Sequence, residues 1–259
     1  MSVISVTTDF GTADGFVGVM KGVMHGISGG GISVIDLSHE IPAGDIASGA
    51  WVLANSYKFF PAGTVHLAIV DPGVGSKRRG LVIRSRDYHF VAPDNGLLSL
   101  VLETLGTVDC FMIDKPNFWR SEVSATFHGR DIFAPVAAHL AAGKGATELG
   151  SEIEYASLIR LPDRPLQIGK LVITGVVAYI DHFGNLISNI DSASLESSRH
   201  AFVNGHEVPV QSTYSAVVPG ELVALGGSHG YVEIAMNGGR AADLLKAGIG
   251  TEVQLKLDH

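Results

Sequence analysis

The chain has 259 residues, 46% of them apolar and 17% charged, with 32 glycines and a formal net charge of −8 at pH 7. This composition supports buried cores and excludes a disordered chain, and the acidic balance, with Lys77, Arg78 and Arg79 too short to form a basic patch, argues against nucleic-acid binding. The single cysteine, Cys110, excludes an intrachain disulfide framework and a cysteine-based zinc site.

The amino terminus has no basic segment leading into a long apolar run, so no signal peptide is expected. The longest apolar stretch, residues 171–180, is too short to span a bilayer, and the expected compartment is the cytoplasm. Residues 3–7 read as a strand, and residues 15–25 as a helix with Phe16, Val19, Met20 and Val23 at helical spacing. A second strand is expected at 33–37, then a helix from an Asp45 N-cap through Ser56. Residues 64–70 are almost all apolar, as in a strand buried on both faces. Residues 81–85 and 89–92 read as a hairpin around Arg86 and Asp87, followed by a helix at 97–104, a strand at 108–113, and a helix at 131–142 with Pro135 in its first turn. This alternation implies an α/β domain with a mostly parallel sheet flanked by helices.

The pattern changes at the linker-like Leu161, Pro162, Asp163, Arg164 and Pro165. Strands then dominate, at 169–180, 186–189, 200–203, 206–210, 222–224, 231–236 and 252–257, with one helix at 239–247. The expected organisation is an N-terminal α/β domain over 1–163 and a small C-terminal antiparallel β-barrel over 168–259.

Six clusters carry chemistry. Asp9 follows the first strand, and Asp14 lies just beyond it. In open parallel sheets, ligands bind at the carboxyl ends of strands, where a carboxylate can accept from ribose hydroxyls; Asp9 could equally cap the next helix. Asp71 opens a Pro- and Gly-rich loop that Arg78 and Arg79 close, either as a rigid polar corner or as a structural ion pair. Phe127 and His128 sit at a glycine-flanked junction before a helix, and histidine handles protons near neutral pH. Pro93 to Gly96 is a turn that could also be a ligand site. Asp181 and Asn185 could bind the ammonium and carboxylate of an amino acid, and the glycine-rich 226–230 and 236–239 could approach a flat base closely. There is no GxGxxG after the first strand, no P-loop, no HExxH and no GxSxG elbow.

Taken together, these motifs resemble the S-adenosylmethionine (SAM) hydrolases, or SAM hydroxide adenosyltransferases, which are related to SAM-dependent fluorinases and chlorinases. The resemblance runs essentially end to end, through TTDFG at 7–11, DPGVGSKRR at 71–79, PDNGLL at 93–98, TFHGRDIF at 126–133, DHFGNLISNI at 181–190 and GSHGYVEIAMNGG at 226–239. It implies metal-independent hydrolysis of SAM, as substrate and without a cofactor, to adenosine and methionine by water attack at ribose C5′. It also implies a homotrimer with sites at subunit interfaces.

By the same resemblance, Asp71, Arg78 and His128 form the water-activating triad, with adjacent Arg79 as the alternative arginine. Asp9 binds the ribose, and Asp14 and Phe127 are further substrate-binding candidates. Asp181, Asn185 and Ser228 hold the methionine end, and Tyr214, Met236 and Gly238 the adenine. The halogenases carry an inserted loop missing here between the segments matching Arg79 and Pro93. They have Tyr and Thr where this chain has Asp71 and Val74, and Tyr and Ser where it has His128 and Gly129. A charged Asp71 would repel a halide. The rival readings are a halogenase, a non-catalytic adenosyl-ligand sensor, and a metal hydrolase using Asp9, Asp14, His39 and His128.

Overall fold

The structure, a computed structural model, describes residues 2–257. Residues 1, 258 and 259, at the outer ends of the two expected domains, lie outside the described residues. The chain divides after Leu161 into two units.

The first unit holds a seven-stranded sheet in the order β2-β1-β3-β5-β4-β6-β7. Its strands are β1 (Ser2–Thr8), β2 (Ile32–Ser38), β3 (Val65–Ile69), β4 (Gly80–Arg84), β5 (His89–Pro93), β6 (Asp109–Ile113) and β7 (Gly150–Glu152). Its helices are α1 (Phe16–Ser28), α2 (Ile46–Ser56), α3 (Ser99–Thr104), α4 (Ala134–Ala141) and α5 (Ala146–Leu149). In β3, Val65, Leu67 and Ile69 face one core with Met20 and Met24 of α1 and Val136 of α4. Ala68 and the following Val70 face the other, with Leu53 of α2 and Val101 of α3. The central strand is therefore apolar throughout because both faces are covered.

The sheet is mixed, which corrects the expectation of a mostly parallel one. β2, β1, β3 and β5 pair in parallel. β4 pairs antiparallel with β5 and β6, and β6 antiparallel with β7. The short Ser85–Tyr88 turn, closed by the Ser85 N–H donating to the Tyr88 carbonyl, permits only a hairpin, so β4 must enter antiparallel. The chain leaves β1 for β2 on one side and returns through α2 to β3 on the other. The strand order thus reverses between β1 and β3, where an open α/β sheet offers a crevice beyond its carboxyl ends. Thr8 pairs with Ile69 at that edge, so the residues that follow, Asp9 and Asp71, leave neighbouring strands.

Asp45 caps α2 as expected, its carboxylate accepting from the Ser48 N–H at 3.0 Å. The helix expected over 131–142 instead begins as a π-helical turn, Gly129–Phe133, that runs into α4. Such turns widen the backbone locally and often occur at functional sites.

The second unit holds an eight-stranded antiparallel sheet: β8 (Gln167–Ile168), β9 (Val172–Ile180), β10 (Leu186–Asp191), β11 (Ser198–Val203), β12 (His206–Pro209), β13 (Leu222–Gly226), β14 (Tyr231–Met236) and β15 (Glu252–Leu257). The path β12-β11-β15-β9-β10-β14-β13 curls until Gln211, just beyond β12, donates its N–H to the Ala224 carbonyl in β13 at 2.9 Å. The sheet is thus nearly closed. Val177, Ile190, Val203, Ile234 and Leu255 fill it, together with Ala241, Ala242 and Leu245 of α6 (Ala241–Leu245).

One buried group links this packing to pH. His66 of β3 is fully buried, hydrogen-bonded through Nδ1 to Ser5 Oγ at 2.6 Å and stacked on Phe90. Burial pushes its pKa down to about 4. The unfolded chain, with an ordinary histidine near 6.5, takes up the proton first as pH falls, so stability is full above about 6.5 and declines towards about 4. The decline should approach ~3 kcal/mol. Urea unfolding at pH 7 and pH 4.5 should show most of it in the native chain, and His66→Gln should reduce the difference between the two pH values by about 2 kcal/mol.

Candidate active site

β3 leads through Val70 to Asp71, and two successive turns follow: the Val74 N–H donates to the Asp71 carbonyl and the Ser76 N–H to the Gly73 carbonyl. Gly75, at φ 78°, completes the reversal, and a Cβ there would lie 2.4 Å from the Ala125 carbonyl oxygen. Only glycine lets this loop touch the segment that carries His128. The loop folds Arg78 back onto Asp71: Arg78 Nε donates to Asp71 Oδ1 at 2.9 Å and Oδ2 at 3.0 Å, and Nη2 donates to Oδ2. Both side chains are almost wholly buried.

His128 caps the π-helical turn, with its Nδ1 3.0 Å from Arg78 Nη2. Its segment is fastened from behind by Asp131, which has no exposed surface. The Asp131 carboxylate accepts from Arg130 Nε and Nη2 at 2.6 and 2.8 Å and from the Ser124 N–H at 2.9 Å, and Arg120 Nε lies 3.2 Å away.

The chain Asp71–Arg78–His128 fixes a tautomer. Guanidinium only donates, so His128 Nδ1 accepts, and in the neutral ring the proton sits on Nε2. A protonated ring could not accept from Arg78. In keeping with this, burial first and the Arg78 charge second push the His128 pKa below its ordinary value, against the opposing pull of Asp71 and Asp131. The cluster therefore offers an anionic acceptor at Asp71 and a neutral donor at His128 Nε2. Arg79 is excluded from it: its Nε donates to Asp94 Oδ2 at 2.8 Å and its Nη1 to Ser157 Oγ at 3.1 Å.

Asp9 Oδ2 accepts the Gly44 N–H at 2.8 Å. Asp9 does not cap the following helix, whose N-cap is Gly15 with no side-chain cap bond. Phe127 packs edge-on against Phe10 and Phe16, with ring centroids 6.0 and 5.2 Å away. Asp14 is exposed and has no hydrogen bond to these groups. His39 bonds through Nδ1 to Thr8 Oγ1 at 2.8 Å, and its Nε2 lies 3.0 Å from Asp36. Asp9, Asp14, His39 and His128 do not form a metal-holding group among the described residues.

The second unit has an open cavity of about 580 Å³ at one end of its sheet, lined by His182, Phe183, Asn185, Tyr214, Met236, Asn237, Gly238, Gly239 and Arg240. Asp181 and Asn185 close the β9–β10 turn on each other, Asn185 N–H to Asp181 Oδ1 at 2.8 Å and Nδ2 to Oδ2 at 3.0 Å. Tyr214 is anchored by its hydroxyl, which donates to buried Glu233 at 2.7 Å. Burial, and then that carboxylate, push the phenol well above its usual pKa, so it stays a donor. Of the sequence-predicted residues, Asn185, Tyr214, Met236 and Gly238 meet here; Ser228 is exposed and outside the lining. Arg240, not anticipated from sequence, bonds through Nη1 to the His182 carbonyl at 2.8 Å. No sequence signal pointed to it; in the structure it lies against Gly184, where a Cβ would come within 2.8 Å of Arg240 Cβ.

Residues 4–150 match the SAM hydroxide adenosyltransferase N-terminal domain, and residues 175–254 match the C-terminal domain of the same name. The chain belongs to the SAM hydroxide adenosyltransferase family. It is 41% identical over 254 residues to an (R)-S-adenosyl-L-methionine hydrolase of Salinispora arenicola, covering 97% of each chain. It superposes with a TM-score of 0.90 on the crystal structure of an uncharacterized conserved protein from Thermotoga maritima, at 35% identity over 97% of this chain and 99% of that one. A fluorinase of Actinoplanes sp. is more distant, 29% identical over 95% of each.

The hydrogen-bond direction in this SAM hydroxide adenosyltransferase member is testable. Nitrogen NMR of the His128 imidazole should report a neutral ring protonated at Nε2 at pH 7, titrating below 6.5. Arg78→Met should raise that midpoint. An Nδ1-protonated ring would reverse the assignment.

Proposed function

We propose that this chain hydrolyses S-adenosyl-L-methionine to adenosine and L-methionine, with a water attacking ribose C5′. The carrying observation is the chain from the nearly buried Asp71–Arg78 pair to half-buried His128, beside the carboxyl ends of β1 and β3, which pairs one proton acceptor with one neutral donor. The sulfonium leaves as a neutral thioether and needs no general acid. The difficulty lies in the nucleophile, because water with a pKa near 15.7 is a poor one at neutral pH.

In this reading His128 Nε2–H donates to the water oxygen and fixes its direction, while an Asp71 lone pair not taken by Arg78 receives a water proton as the C–O bond forms. Arg78 orients both and balances the carboxylate charge. General-base assistance contributes about 10²–10⁴-fold, and alignment of water with C5′ can remove about 7–11 kcal/mol of barrier. The Asp71 carboxylate that serves a water would repel a halide, which favours hydrolysis over halogenation.

Asp9 would hold the ribose hydroxyls, with Phe127 alongside. The cavity of the second unit would take the adenine against Tyr214, Met236 and Gly238, and the methionine end near Asn185 and the Asp181 turn that it closes, with Ser228 outside that lining. Each Asp181 oxygen keeps a second lone pair for an ammonium group. The domains over 1–163 and 168–259, a homotrimer with interfacial sites, independence of metal and cofactor, and a cytoplasmic location belong to the same reading. Among the described residues no helix is long and apolar enough to cross a membrane. The relatives' name specifies the (R) sulfonium epimer, and the reading extends that preference to this chain.

Purified protein with chelator present and halide absent should release adenosine and methionine in equal amounts from the (R) epimer, and more slowly from the (S) epimer. Asp71→Asn and His128→Ala should each lose about 10²-fold or more in kcat while still binding adenosine. Wild-type turnover in either variant would remove it from the mechanism, and saturable binding without turnover in the native chain would favour the sensor.

A further inference from the structure

Two arginines stand side by side at the end of the Asp71 loop, and in extended chain their side chains leave opposite faces. A slip of one residue would exchange them. Charge alone does not choose between the two registers, because either arginine could pair with Asp71. The choice is made on the far side.

Asp94, just beyond β5, is 2% exposed and is the main partner of the half-buried Arg79. Arg79 Nε and Nη2 donate to its Oδ2, and its Oδ1 accepts the Ile159 N–H at 2.9 Å. Arg79 also donates to the Ser157 hydroxyl and carbonyl. The main chain repeats the tie, with the Asp94 N–H donating to the Arg79 carbonyl at 2.9 Å, which extends the β4–β5 ladder by one pair. The next residue, Gly80, is pinned against Phe133, where a Cβ would lie 2.9 Å from the ring. Arg78, by contrast, has Asp71, His128 and the face of Phe133.

Building on the function proposed above, we propose that Arg79 and Asp94 are positioning residues, a clasp on the buried Asp94 carboxylate that fixes the register of residues 78–80 and so presents Arg78, not Arg79, to Asp71 and His128. The clasp touches no substrate in this reading and acts only through Arg78. Its loss leaves the guanidinium of Arg78 free to drift from a geometry in which about 1 Å matters. Removing either member alone also strands a buried partner, so Arg79→Met is read beside Arg79→Lys and Asp94→Asn, which leave less of that penalty.

Arg79→Met and Asp94→Asn, each in the full chain, are compared with the native protein in three measurements: kcat for adenosine release, Kd for adenosine, and the NMR titration of His128. Asp94→Asn retains an acceptor for Ile159. Arg79→Met should lower kcat about tenfold or more with adenosine Kd within about twofold, and should move the His128 midpoint up as Arg78 withdraws while Asp71 and Asp131 remain. Asp94→Asn should show the same changes to a smaller extent, and Arg79→Lys, which keeps charge but not the planar fork, should fall between native and Arg79→Met.

Unchanged kcat and titration in a folded Arg79→Met would overturn the proposal. So would a parallel fall in kcat and adenosine affinity, which marks general structural damage. If Arg79→Met does not fold, Asp94→Asn alone decides by the same criteria. A native protein that releases no adenosine, yet whose His128 midpoint shifts in Arg79→Met, would remove the hydrolase reading and leave the clasp standing.

Discussion

Arg78 has N–H donors in a fixed fork and no acceptor, and the candidate site is organised around that asymmetry. A group that can only donate imposes direction on whatever it touches. Asp71 must accept, His128 Nδ1 must accept, and the only proton left on the neutral imidazole points away from the arginine. The turns of the Asp71 loop, the contact of Gly75 with Ala125 and the anchoring of the His128 segment through Asp131 all serve to bring these three side chains together. The arrangement is costly, because charges this deeply buried lose hydration that a single ion pair does not fully restore. Each is accordingly paired: Asp71 with Arg78, Asp94 with Arg79, Asp131 with Arg120 and Arg130.

The sheet places that cluster where its own topology opens a crevice. The reversal of strand order between β1 and β3 needs no functional motif; it follows from successive crossovers taken on opposite sides of β1. Asp9 and Asp71 lie at that edge because Asp9 follows directly on β1 and Asp71 follows β3 after Val70. The second unit contributes a different kind of site, a cavity whose walls are two tight turns and an anchored tyrosine. Its polar groups are largely engaged with one another, as in the Asp181–Asn185 turn and the Tyr214–Glu233 bond, which makes it a preformed surface.

Much of this was legible in the sequence wherever a local rule decides the outcome. Asp45 caps α2 because its carboxylate reaches Ser48, and residues 81–92 form a hairpin because so short a turn allows nothing else. What was not legible depended on partners distant in sequence. The hairpin turned an expected mostly parallel sheet into a mixed one. The start of the helix expected at 131 became a π-helical turn, in a segment where Asp131 is held by Ser124 and Arg120. α5 and β7 were missed because they span only 4 and 3 residues, too few to show a period. Spacing within the loop pointed to Arg78 but left Arg79 as an alternative, because spacing is blind to register; the structure pairs Arg79 with Asp94 and Ser157 and sets Gly80 against Phe133. Asp14 and Ser228 fell in recognisable motifs, yet both are exposed, Asp14 without a bond to the cluster and Ser228 outside the cavity lining.

The central claim is that the polar cluster directs a water, and no other nucleophile, at ribose C5′. The most direct measurement is a single-turnover reaction in ¹⁸O-labelled water with mass spectrometry of both products. The account predicts one ¹⁸O in adenosine at the 5′ oxygen and none in methionine. Adenosine without label, or label in methionine, would contradict it.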